Sequence, residues 1–234
     1  MLMYFTKQKN IIKNIFKKET KLNKLISIDV FSDTICPWCY IGYKRLQNVI
    51  DSFSKYKFDI TWRPFQLNPE MNTKGLDRQD YLNKKFGNKD NAHLIYKRIE
   101  EEGIKIGIHF QFNKIKVTPN SFLSHKLLAY AHKKKKQTQV LESIFYQYFI
   151  EGNNIGDLKK LLEIAKQTKI YDNDIENYLL SSDDSNNILN EEKYARDIGI
   201  TGVPCFILNK EFVLNGAQSE ENFIQMIESI VNNE

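Results

Sequence analysis

Two cysteines three positions apart, Cys36 and Cys39, stand where a strand pattern gives way to a helix pattern. Before them Ile26, Ile28 and Val30 alternate with Ser27 and Asp29, the period of a half-buried strand. After them Leu46, Val49, Ile50 and Phe53 recur at helical spacing, with lysine and arginine opposite. A second strand pattern at residues 58–65 follows a short polar turn, which completes a β-α-β unit. At a helix start the free N–H groups and the positive end of the dipole favour an anion. The pattern therefore predicts Cys36 as the attacking thiolate. Cys39, one turn further in, is the buried thiol that resolves a mixed disulfide. Pro37 lacks an N–H and fixes φ for the first helical turn, and Trp38 offers a flat apolar contact to a substrate.

Residues 75–190 read mainly as helices. Asp77 and Asp157 are candidate caps, Pro119 opens a helix running to residue 132, and residues 140–149 form a strongly apolar face. Residues 104–112 alternate apolar and polar, which predicts one extended segment among the helices. Strand character returns only at 205–208 and 212–215, a hairpin followed by a last helix with Phe223, Ile227 and Ile230 on its face. Entering that hairpin is Gly202-Val203-Pro204. A proline directly before a strand predicts a cis Val203–Pro204 bond, with the backbone of Val203 exposed to pair with an extended peptide. One mixed central sheet interrupted by an all-helical insertion is the economical α/β reading. Residues 25–74 and 191–234 build the sheet unit, 75–190 the insertion, and 1–24 a basic extension.

Composition removes several function classes. Three cysteines cannot staple 234 residues, and zinc would need four ligands where the chain offers one pair, a lone Cys205 and four scattered histidines. No metal and no cofactor is expected. The net charge of +5 is carried by residues 1–24, where seven lysines face only Glu19, so the remainder is close to neutral and no nucleic-acid surface is expected. No apolar run approaches the roughly 18 residues of a transmembrane helix. The extension has Ile11, Ile12, Ile15 and Phe16 at helical spacing but no arginine. The cytoplasm is the expected compartment, with a mitochondrion or plastid if residues 1–24 are a transit peptide.

With the cysteine pair and the Val203-Pro204 turn in place, the chain resembles the DsbA family of thioredoxin-fold oxidoreductases, most closely its FrnE-like branch. The likeness is carried by SDTICPWCYIG at 32–42, WRPFQLNPEM at 62–71, KVTPNSFLSHKL at 116–127, TGVPCFIL at 201–208 and NGAQSEENF at 215–223. The resemblance implies a thioredoxin-like fold with a helical insertion. It also implies thiol–disulfide exchange through Cys36 and Cys39 opposite a cis-Pro204, with protein or peptide thiols and disulfides, and glutathione, as partners. Trp38 stands where the DsbA prototype has a histidine, and reductase or isomerase action stays open beside oxidation.

Two other readings share this scaffold: a glutathione-dependent isomerase or kappa-type transferase, and a non-catalytic thioredoxin-like chaperone or binding module. In the former, His125 and Asn120 would line a substrate pocket. Cys205 is read as a small buried hydrophobe, and the run from 133 to 136 as a solvated lysine turn.

Overall fold

The computed structural model describes residues 24–87 and 89–232; the basic extension lies outside the described residues except for Lys24. Strand β1 (Lys24–Ser32) buries Ile26, Ile28 and Val30 on one face, as their alternation requires. It leads through a tight turn into helix α1 (Pro37–Ser52), and strand β2 (Tyr56–Pro64) returns parallel to β1, with Lys24 opposite Tyr56 and Ser32 opposite Pro64. On the other edge of β1 lies β5 (Cys205–Leu208), antiparallel, with Phe31 opposite Cys205. Strand β6 (Phe212–Asn215) closes the hairpin, and helix α9 (Glu220–Asn232) packs back on α1. The sheet order is β2-β1-β5-β6, so the strand that feeds the cysteine pair is central. Asn209, at positive φ in the hairpin turn, extends the ladder by exchanging bonds with the backbone of Ser27.

Between the two halves of the sheet lie β3 (Leu76–Asp77), α2 (Arg78–Phe86), α3 (Lys89–Ile104), β4 (Val117–Thr118), α4 (Phe122–Lys133) and α5 (Gln137–Phe149). Helices α6 (Leu158–Gln167), α7 (Ile175–Leu180) and α8 (Ser185–Asp197) follow. Asp77 and Asp157 cap α2 and α6 as their side chains predict, accepting from the N–H groups of Gln79 and Asp80 and of Lys160. The lysine run at 133–136 is the turn between α4 and α5. Lys133 pairs there with Asp184 and Lys134 with Asp172.

Three sequence expectations differ from the structure. Residues 104–112 are not extended. The chain folds back at the end of α3, where the N–H groups of Ile106 and Ile108 both reach the Gly103 carbonyl. The ring of Phe110 lies so close that a Cβ on Gly103 would stand 2.6 Å from it. The alternation therefore records which residues are buried in a loop, Ile108 and Phe110 among them, and not a strand ladder. The small sheet of this region is instead β3 with β4. Pro119 does not open α4, which starts at Phe122 after Asn120 has accepted its N–H. The insertion boundary at 190 falls inside α8, a continuous helix that packs on β2.

The helical segment and the sheet share one core. Tyr40 and Tyr43 of α1 meet Phe145 and Phe149 of α5 at ring-centroid distances of 5.0 to 6.3 Å. Phe145, Phe149 and Tyr148 are at most 1% exposed. Each ring so removed from water contributes roughly 1.5–3 kcal/mol. This is the mixed α/β architecture with a helical insertion that the resemblance implies.

Candidate active site

The C-terminal end of β1, the start of α1 and the segment entering β5 converge on Cys36. The turn is fixed by the Cys36 N–H donating to the Asp33 carbonyl at 3.0 Å, while the Cys36 carbonyl accepts from the N–H groups of Cys39 and Tyr40. Cys36 is thus the N-cap, in extended backbone, and Pro37 is the first helical residue, where its missing N–H costs nothing. The Cys36 thiol donates to the Val203 carbonyl at 3.7 Å, a contact spanning 167 positions of sequence. The Val203–Pro204 peptide bond is cis. Pro37 and Trp38 are half-buried, Val203 is half-buried, and Pro204 is buried. The structure therefore brings Cys36, Pro37, Trp38, Cys39, Val203 and Pro204 into one place.

The two thiols are unlike. The Cys39 thiol donates to Cys36, and this bond, aided by the backbone N–H groups of Cys39 and Trp38, holds Cys36 below the ordinary thiol value against burial and the nearby Asp33 charge. Cys39, 0% exposed, is pushed well up by burial and by its bond to Cys36. The Ser32 hydroxyl, with no other partner, and the Asp33 N–H are left to its sulfur. Both cysteines are free thiols.

Beneath the thiols lies a buried polar floor, of which the sequence singles out only His125. The Asp33 carboxylate, 0% exposed, accepts from the Leu67 N–H at 2.7 Å and stands 3.5 Å from Nε2 of buried His125. Glu192 of α8 accepts from the Gln66 N–H at 3.1 Å, and burial raises its carboxyl above the usual range. Arg196 closes the same turn by donating to the Gln66 carbonyl. Asp33 carried a sequence signal, being the turn residue three places before Cys36. Glu192 carried only a faint one, a carboxylate at helical spacing between Ile188 and Ala195 on the buried stripe of α8. His125 borders a cavity of about 200 Å³ with Trp62, Leu128 and Gln137, whereas Asn120 spends its amide clasping Gln66, Phe122 and Met71. Cys205, also 0% exposed, packs with Phe31 and Phe65, and burial pushes its thiol up to about 11. Among the described residues no three His, Cys, Asp or Glu side chains converge as a metal site needs, and no helix is long and apolar enough to cross a membrane.

This arrangement has counterparts among known proteins. A family model described as a DSBA-like thioredoxin domain matches residues 27–228. A protein of Bacillus subtilis (strain 168), named as uncharacterized protein YwbO, is 24% identical over 203 residues, covering 86% of this chain and 96% of that one. The probable DsbA oxidoreductase SCO1869 from Streptomyces coelicolor superposes with a TM-score of 0.81 at 22% identity, over 89% and 91% of the two chains. The cytosolic disulfide reductase DsbM from Pseudomonas aeruginosa, solved with GSH, superposes with a TM-score of 0.63 at 14% identity, over 88% and 99%.

Proposed function

We propose, from the premise that this chain belongs to the DSBA-like thioredoxin domain family, that it exchanges thiols and disulfides through Cys36 and Cys39. The observation that carries the reading is the Cys36 thiol at the start of α1, held below the ordinary thiol value and bonded to the Val203 carbonyl. In the reducing direction the Cys36 thiolate attacks one sulfur of a substrate disulfide. A Cys36–substrate S–S bond forms, the substrate bond breaks, and the released thiolate takes a proton from water. Cys39 then loses its proton and attacks the Cys36 sulfur. The internal disulfide forms, the second substrate thiolate leaves, and two electrons have passed from the dithiol to the substrate. Run backwards, the same steps oxidise a substrate dithiol.

Val203 and Pro204 supply the peptide contact in this reading. Once Cys36 ionises, the Val203 carbonyl loses its donor and becomes free to accept an N–H from an extended segment laid beside Pro37 and Trp38. The sheet unit acts as the exchange unit in this reading, and the insertion contributes His125 to the floor. Glutathione is the proposed small thiol that resets the pair, and the cytoplasm its setting, by likeness to DsbM with GSH.

The test is insulin disulfide reduction with trapping. Wild-type protein reduces insulin, Cys36→Ser does not, and Cys39→Ser accumulates mixed disulfides at Cys36. Retained activity in Cys36→Ser, or trapping through Cys205, overturns the assignment.

A further inference from the structure

Arg78, the first residue of α2, is 9% exposed, yet its guanidinium faces no carboxylate among the described residues. Arg45 and Arg63, both more exposed, pair with Glu102 and with Asp29 and Glu191. Arg78 uses only two of its donors, Nη1 to the Thr118 hydroxyl at 2.9 Å and Nη2 to the Tyr96 hydroxyl at 2.8 Å. Its Nε–H is buried without a partner. The rings of Tyr81 and Tyr96, at 5.6 and 5.0 Å, soften the charge but do not neutralise it. A buried cation left in this state is costly unless a counter-ion completes it.

Arg78 also lines a cavity of about 570 Å³ between α2, α3 and the 112–116 loop. Leu82, Ala92, Phe112 and Ile115 give it an apolar wall, and Lys97 and Lys116 add cations. Of the two carboxylates on the wall, Asp77 is already held by the N–H groups of α2, which leaves Glu100. Among the described residues of the wall, Arg78, Lys97 and Lys116 stand against Asp77 and Glu100, which leaves a formal charge of +1 and suits a single negative charge better than a phosphate dianion. We propose that this cavity is a binding site for a small organic monocarboxylate, its carboxylate taken by Arg78 and its apolar body by the wall of Leu82, Phe112 and Ile115. A planar fork with unused N–H groups matches a carboxylate in geometry as well as charge.

The proposal is independent of thiol exchange, and its test reads binding alone. Phenylacetate, the neutral amide phenylacetamide and inorganic phosphate are each titrated into the full chain, followed by saturation-transfer NMR and thermal shift. Phenylacetate is expected to bind and to raise the melting temperature, phenylacetamide and phosphate are not, and Arg78→Met should weaken phenylacetate by at least about tenfold. Leu82→Trp, which keeps Arg78 and fills the apolar wall, should lose binding as well and decides the matter where Arg78→Met fails to fold. Equal binding of acid and amide, binding of phosphate alone, no binding of any probe, or undiminished binding in folded Arg78→Met or Leu82→Trp would overturn it.

Discussion

Replacing Gly42 by alanine sets two opposed effects of known size against each other at the back of the proposed dithiol. Gly42 lies inside α1, where glycine costs about 1 kcal/mol relative to alanine. On that ground alone alanine would stabilise the protein. A Cβ at this position, however, stands 3.0 Å from Cζ of Phe206 and 3.0 Å from Cγ of Pro204, inside the roughly 3.5–4.0 Å of comfortable carbon contact. Neither neighbour retreats freely. Phe206 is 0% exposed and wedged edge-on against Phe223 at 4.8 Å, and its strand is bonded to β1 on one side and β6 on the other. Overpacking of this kind costs roughly 1–3 kcal/mol. The difference is a destabilisation centred near 1 kcal/mol, or about 2–4 °C in melting temperature for a chain of this size. Relief of the clash moves the Pro204 segment away from α1 and lengthens the Cys36–Val203 contact of 3.7 Å, so iodoacetamide should also reach Cys36 faster. Thermal unfolding and alkylation kinetics of the reduced variant check both consequences. A melting temperature raised by about 2–4 °C with unchanged alkylation would mean that propensity won and that α1 does not hold the loop against Cys36.

Alkylation of the reduced protein across pH should show Cys36 titrating below the ordinary thiol value of 9.0, with Cys39 unlabelled over the same range; early labelling of Cys39 refutes the order. The sign for stability follows. Cys36, depressed on folding, stabilises the reduced fold above its unfolded value, and that contribution is lost as pH falls through the folded one. Cys39, raised on folding, stabilises below its unfolded value and loses that contribution as pH rises. Urea titrations of the two serine variants against pH separate the slopes. Asp33→Asn removes the buried charge that opposes Cys36 ionisation, so Cys36 should titrate lower still, at a cost of about 1.5–3 kcal/mol from the weakened bond to the Leu67 N–H; an unmoved titration sinks the electrostatic argument. Cys205→Ala should keep exchange activity and lose about 1 kcal/mol of packing. Lost activity with an intact fold would make Cys205 a functional thiol.

Features set by neighbours in sequence were readable in advance. The alternation of Ile26, Ile28 and Val30, the N1 proline before Trp38, the capping aspartates at 77 and 157, and the hairpin around residue 209 each depend on a few consecutive residues. The Cys36–Cys39 pair was readable for the same reason. What escaped depends on residues far apart. Glu192 meets Gln66 across 126 positions, and Asp33 meets His125 across 92, so neither local period nor composition carries them. The misreading at 104–112 has a different origin. Periodicity reports which side chains are buried, and a folded-back loop over Gly103 buries alternate residues as a strand does, without any ladder.

The insertion is coupled to the thiol chemistry through those distant contacts. Asp33 comes from the turn after β1, His125 from α4 and Glu192 from α8, so the floor under Cys36 exists only when three separate segments are docked together. The same docking buries the Tyr40 and Tyr43 face of α1 against Phe145 and Phe149. Cutting the chain at 74 and 191 would expose that aromatic face, sever α8, and leave the Asp33 carboxylate open to water. Hydrated, Asp33 would oppose Cys36 ionisation less, because water screens a charge that the buried floor does not. The helices that carry no cysteine thereby help to set how readily Cys36 ionises, and packing defects in α4 or α5 reach the sulfur through Asp33 and Tyr40 without touching the motif itself.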